Sequence, residues 1–267
     1  IETENLDTNL HLPFKELTLL KKKLYFKLQA NKEFIEPIKI PRLKRLSNEI
    51  TNPKLSVLIS SPKDIEICTK TNSDIFFQLP SSLKNNVDEY IEIFQNNKSL
   101  IPWFQSVIIE EDFESALKFL KIIQPELIVS NNTGIAFEAS KEEIPWIAGP
   151  HMNIINSYSL LCLKEEFNCS GSFISNEISK KQMQSIIKPE NFKLYYSIYH
   201  PIVLMTSRQC FFHQVSGCEK SIMDDSCISG CEKSSSITTL NEKEQYIIKQ
   251  KGNYHEIYNE TNYLNTE

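Results

Sequence analysis

The sequence has 267 residues, 40% of them apolar, with 29 Lys and Arg against 34 Asp and Glu for a formal net charge of -5. That much apolar chain can bury a core in one large domain or two smaller ones, which excludes a disordered polypeptide, and the negative balance argues against a general polyanion binder. No apolar run approaches the roughly 18 residues of a membrane helix, and the start of the chain lacks a hydrophobic signal core, so the expectation is a cytoplasmic protein without a membrane partner.

The chain opens with Ile1, and residues 1–52 differ in character from the remaining residues, as expected of a remnant of a preceding domain in a longer protein. Apolar residues three and four apart from Leu12 to Leu28 predict an amphipathic helix. Ten Lys or Arg against Glu16, Glu33 and Glu36 lie between Lys15 and Arg45. Such a run is more often a solvated helix face than a nucleic-acid footprint. Two prolines in EPIKIPRLKR then mark a linker.

From Leu55 the rhythm changes. Strands are predicted at LSVLIS (55–60), DIFFQL (74–79), IPWFQSVII (101–109), ELIVS (126–130), IPWIAG (144–149), SGSFIS (170–175), KLYYSI (193–198) and PIVLM (201–205). Helices are predicted at 62–70, 84–97, 112–123, 134–141, 155–168 and 178–186, with Ser61-Pro62 and Glu110-Glu111-Asp112 as starts suited to the helix dipole. The alternation reads as an α/β protein, a (β/α)8-type barrel, closed or incomplete, over 53–209; a doubly wound sheet is the other solution. The last two strands lack an intervening helix. Residues 210–267 read as a cysteine-rich metal-binding segment followed by a β-hairpin, SSSITTL and EQYIIKQKG around NEK.

Seven cysteines without an export signal are expected as thiols or ligands. Four of them, Cys210, Cys218, Cys227 and Cys231, stand in one loop-rich run, RQCFFHQVSGCEKSIMDDSCISGCEKS. Four thiolates can complete a tetrahedral zinc site or hold the corners of a cubane cluster, and the wide first gaps favour iron-sulfur over a zinc ribbon. Arg208, Lys220 and Lys233 flank the run and would offset thiolate charge, or are simply exposed. Cys68, Cys162 and Cys169 read as core or incidental thiols.

Parallel α/β folds build their sites at the C-terminal ends of strands. Ser130-Asn131-Asn132, His151 with Asn153, and Ser175-Asn176-Glu177 all follow predicted strands. Each serves equally as a helix cap, and His151 is the least easily explained that way. Hydrolase signatures are missing: there is no G-x-S-x-G and no H-E-x-x-H, although Cys210 with His213 remains a conceivable nucleophile and base.

The stretch IAGPHMNIINSYSLLCLKEEFNCSGSFISNEIS, followed by YHPIVLMTSRQC and the later cysteines, resembles the collagenase-like peptidase family U32 from about Leu55 to the C-terminus. The basic N-terminal helix resembles the end of the collagenase-associated domain of its large members. The resemblance implies a (β/α) barrel, a four-cysteine 4Fe-4S centre, and oxygen-independent or prephenate-dependent hydroxylation of RNA bases, most similar to the ribosomal RNA cytidine branch. It places Cys210 after the last barrel strand, Cys227 and Cys231 as the close pair, and Cys218 as fourth ligand. The family's G-A-L-C segment stands here as Ile198-Tyr199-His200-Pro201, without its cysteine.

The resulting expectation is an iron-sulfur enzyme of a bacterial cytoplasm acting on ribosomal or transfer RNA with a small oxygen donor such as prephenate. His151, Asn153, Glu177 and Arg208 are the candidate catalytic residues. The alternatives are a collagenase-like peptidase and a non-catalytic module that binds zinc and docks RNA.

Overall fold

The computed structural model describes residues 13–28, 40–45, 52–207, 209–215, 217–220, 227, 234–238, 244–249, 255–259 and 262–264. Two compact units divide the chain, Ile1–Arg42 and Leu43–Glu267. In the first, α1 (Phe14–Leu28) buries none of its residues and carries Lys15, Lys21, Lys22, Lys23 and Lys27 against Glu16.

In the second unit the strands β1 (Ser56–Ile59), β2 (Asp74–Gln78), β3 (Leu100–Phe104), β4 (Ile128–Ser130), β5 (Trp146–Ala148), β6 (Cys169–Phe173) and β7 (Lys193–Tyr195) form one sheet. They lie side by side in chain order, and each pair is parallel. A 3-10 helix over Pro62–Thr69 follows β1. Then α2 (Val87–Asn96), α3 (Glu111–Ile123), α4 (Thr133–Lys141), α5 (Ser157–Phe167) and α6 (Lys180–Ser185) fill the successive connections. The sheet curls into a half-barrel, an incomplete (β/α) barrel.

The two faces of the sheet follow from alternation along each strand. Ile75, Phe77 and Phe104 point to the helix side, where Tyr90 and Phe94 of α2, Phe119 of α3 and Leu160 of α5 join them in the larger core. Phe76, Trp103, Val129, Ile147 and Phe173, one from each of five neighbouring strands, fill the concave side with Tyr195 packed against them. Their rings touch across the lumen: Trp103 lies 5.3 Å from Phe173, and Tyr195 of β7 reaches Phe76 of β2 at 6.2 Å. Gly171 permits this, because a Cβ there would sit 3.0 Å from the Tyr195 ring and 2.9 Å from the Lys193 carbonyl.

The expected eighth barrel strand is not in this sheet. β8 (Tyr199–His200) pairs antiparallel with β13 (Tyr263–Leu264). β9 (Val203–Ser207) lies at the edge of a separate antiparallel sheet, in the order β10-β11-β12-β9, with β10 (Ser234–Thr238), β11 (Glu244–Lys249) and β12 (His255–Asn259). The reason is chain length: a parallel return needs a crossover of a dozen residues or more, and Tyr196–Ile202 cannot provide one. The predicted hairpin is β10 and β11. β3 is also shorter than expected, because Gln105–Ile109 leave the sheet and Ile108 packs into the helix-side core. Among the described residues no helix is long and apolar enough to cross a membrane.

Trp103→Ala should cost about 3–5 kcal/mol of stability, since it empties the centre of the lumen packing; chemical denaturation checks this. Cys169 offers a second test. Burial pushes its thiol up from 9.0 to about 11, with backbone hydrogen bonds at Gly171 and Ala148 pulling the other way. Between those values the unfolded thiol loses its proton and the folded one keeps it, so stability falls as pH rises through this window, by about 2–3 kcal/mol at most. In reducing buffer, Cys169→Ala should flatten the decline of the melting temperature between pH 9 and pH 11.

Candidate functional site

Three of the sheet's strand ends carry the predicted polar clusters, and β4, β5 and β6 are neighbours, so these ends open side by side. Within the first cluster two residues do local work. Ser130 Oγ accepts from Asn132 N at 3.1 Å, and Asn132 Oδ1 caps α4 by accepting from Ile135 N at 3.1 Å. Asn131 does something else. It is 6% exposed, donates from Nδ2 to the Phe104 carbonyl at 3.0 Å, and accepts at Oδ1 from His151 N at 3.0 Å. It therefore joins the ends of β3, β4 and the turn after β5.

Gly149 makes room for that side chain. A Cβ at Gly149 would lie 2.1 Å from Asn131 Oδ1 and 2.5 Å from Cγ, distances no side chain tolerates against a buried neighbour. Beyond it a single 3-10 turn, Pro150–Met152, presents His151, and Asn153 ends the turn in the left-handed region at φ 52°. Both are exposed. The surrounding protein still withdraws enough water to lower the His151 pKa; the Glu256 carboxylate opposes this shift and the His200 imidazole adds to it. In the third cluster Ser175 is buried and its Oγ accepts from Glu177 N at 3.2 Å, while Glu177 itself is exposed. Asn176 Oδ1 is buried without a hydrogen-bond partner among the described residues. Buried Asp112 at the start of α3 stitches the next loop over, its Oδ1 accepting from Lys84 N at 2.9 Å.

The cysteines hang on the other framework. Cys210 follows β9 and precedes α7 (Phe211–Val215). Phe212 of that turn is fully buried, its ring 5.2 Å from the ring of buried His255 on β12. Cys218 N donates back to the Phe212 carbonyl at 3.4 Å, so Cys210 and Cys218 flank one anchored helical turn. Both carry free thiols and are half-buried; Cys227 is half-buried as well. Arg208 and Cys231 lie outside the described residues. In donor chemistry these thiols suit a soft metal or a cluster. In position, no three His, Cys, Asp or Glu among the described residues stand close enough together to hold an ion.

Residues 96–266 match the model of Peptidase family U32, well over half of the chain. The chain belongs to this family. The U32 match begins at the end of α2 and takes in every strand from β3 to β13, the polar strand ends and all four late cysteines. Membership places the chain among peptidase-like or related enzymes. No curated protein and no solved structure matches it.

Sequence reasoning singled out His151 and Asn131 but not Gly149 or Glu256. A signal for Gly149 existed: the chain has only 6 glycines, so one standing at the end of an apolar strand beside polar neighbours marks a close approach. Nothing in the alternating pattern of β12 distinguishes Glu256.

Gly149→Ala should destabilise the protein by about 1–3 kcal/mol, because neither Asn131 nor the strand end can give way. The same substitution in an Asn131→Ala background should cost far less, since the space is vacated; a double-mutant cycle of melting temperatures reads the difference.

Proposed function

We propose that this U32 member is a metal-dependent enzyme that modifies an RNA base, with Cys210, Cys218, Cys227 and Cys231 as the protein ligands of a 4Fe-4S cluster. The observation that carries the reading is the pair of free thiols, Cys210 and Cys218, folded around one turn whose Phe212 is buried against His255. Such a turn presents sulfur on a rigid base, as a resident metal centre requires. When bound, the cluster would supply electrons or activate an oxygen donor.

The remaining chemistry belongs to the strand ends. His151, Asn153 and Glu177 are the exposed hydrogen-bonding side chains at these strand ends, and they suit the edge of a base better than a free phosphate. A small oxygen donor such as prephenate would need a cation, and Arg208, next in sequence to β9, is the residue we assign to it. The cytoplasm is the compartment in which such thiols and such RNA meet.

A peptidase is the second reading, favoured by Cys210 and exposed His213 at either end of a single turn. Iron, sulfide and zinc analysis of protein purified without oxygen separates the two. About four irons and four sulfides per chain, lost in Cys227→Ser, are expected, together with a missing hydroxylated nucleoside in the RNA of a deletion strain. Zinc without iron overturns the cluster. Gelatin cleavage abolished by Cys210→Ser in metal-free protein overturns the RNA reading.

A further inference from the structure

A helix of a globular protein normally hides one stripe of apolar side chains against a core. In the first unit α1 hides none: Phe14, Leu17, Leu20, Leu24 and Leu28 are each 51% to 84% exposed. They stand three, three, four and four residues apart, spacings that bring side chains round to the same side of a helix. Tyr25, 62% exposed, borders this stripe. Only Lys21 interrupts it, and a lysine stem can lie along apolar surface while its ammonium reaches outward. Leu19 and Phe26 fall on the other side of the helix.

The charge on α1 is equally unspent. It carries Lys15, Lys21, Lys22, Lys23 and Lys27 against Glu16, and among the described residues none of these lysines takes part in an ion pair. Thr18 turns its hydroxyl back to the Phe14 carbonyl at 2.9 Å. What the helix offers a partner is therefore apolar carbon and positive charge, with the Tyr25 hydroxyl besides. A phosphate backbone makes no use of the leucines, and a protein groove would need carboxylates placed lysine by lysine. An anionic lipid surface meets both demands without such placement, its acyl chains taking the stripe and its headgroups the ammonium groups. With 15 residues α1 is about 22 Å long, short of the roughly 30 Å of a bilayer core, so the plane of the surface is where it fits.

We propose that α1 docks on an anionic lipid surface, with Phe14, Leu17, Leu20, Leu24 and Leu28 at the acyl boundary and the lysines among the headgroups. The proposal concerns the first unit alone and is independent of the cluster and substrate assigned to the second. Each lysine close to such a surface strengthens binding by about fivefold. That part is screened by salt, whereas the apolar stripe is not, so binding weakens as salt rises without vanishing.

The test is flotation of the full chain with vesicles of phosphatidylcholine and phosphatidylglycerol, set against vesicles of phosphatidylcholine alone. Binding to the anionic vesicles is expected, and binding to the neutral ones should be weaker by about tenfold or more. Lys22→Gln combined with Lys23→Gln should weaken anionic binding by about 25-fold, and Leu20→Ala combined with Leu24→Ala by about tenfold or more. All four side chains are exposed, so each variant should keep the melting temperature of the parent chain. If one does not, Lys15→Gln with Lys27→Gln, or Leu17→Ala with Leu28→Ala, tests the same surface. No binding to the anionic vesicles, or binding untouched by both kinds of substitution, overturns the proposal. So does a chain that ignores vesicles but retards a uridine homopolymer in a gel, which makes α1 an RNA contact.

Discussion

Seven parallel strands that stop short of a closed barrel leave two sheet edges and a concave face without the eighth strand that would seal them. Here aromatic side chains do the sealing. Phe76, Trp103 and Phe173 meet in tilted and edge-on contacts, and Tyr195 stacks on Phe173 while reaching Phe76 from the opposite end of the sheet. Such contacts bury large areas and favour defined geometry, so the curl of the sheet is set by ring packing and not by hydrogen bonds around a full circle. The same packing decides where the mouth begins. Two residues further along the strands, on the same face, Val129 gives way to Asn131, Ile147 to Gly149, and Phe173 to Ser175. One layer is apolar and dry; the next is polar and joins strand end to strand end.

Most of the barrel was legible because buried parallel strands declare themselves as continuous apolar runs. DIFFQ and IVS lie where the sequence predicts them, and the helices between carry buried residues at helical spacing, such as Val87, Tyr90, Ile91 and Phe94 in α2. PIVLM misleads for a physical reason: an apolar run of five announces a strand but not its partner, and the missing crossover helix was the only sign that it belongs to another sheet. Likewise Ser and Asn after a strand do not reveal whether they cap a helix, as Asn132 does, or brace a neighbouring turn, as Asn131 does. That distinction depends on which backbone atoms the fold brings within 3 Å, and sequence spacing holds no record of it. The thiols are legible as donors for the same reason that their site is not: cysteine type and number are local facts, and convergence is a tertiary one.

The two frameworks are more dependent on each other than their topology implies. The half-barrel supplies His151 on a braced turn, while the groups that act electrostatically on it come from elsewhere, Glu256 from β12 and His200 from β8. The antiparallel sheet in turn places Phe212 against His255, which fixes the turn between Cys210 and Cys218. β12 therefore takes part in both, with Glu256 acting electrostatically on His151 and the adjacent His255 packed on the Phe212 ring. Successive residues on a strand point to opposite faces, so one strand can serve two sites only if it lies between them. The U32 match spans this whole arrangement, from the end of α2 through β13. It leaves out β1 and β2, whose parts are Phe76 in the lumen and the Lys84 loop bound by Asp112. Those elements complete the lumen packing and tie down the start of α3, so the matched segment depends for its core on residues that precede it.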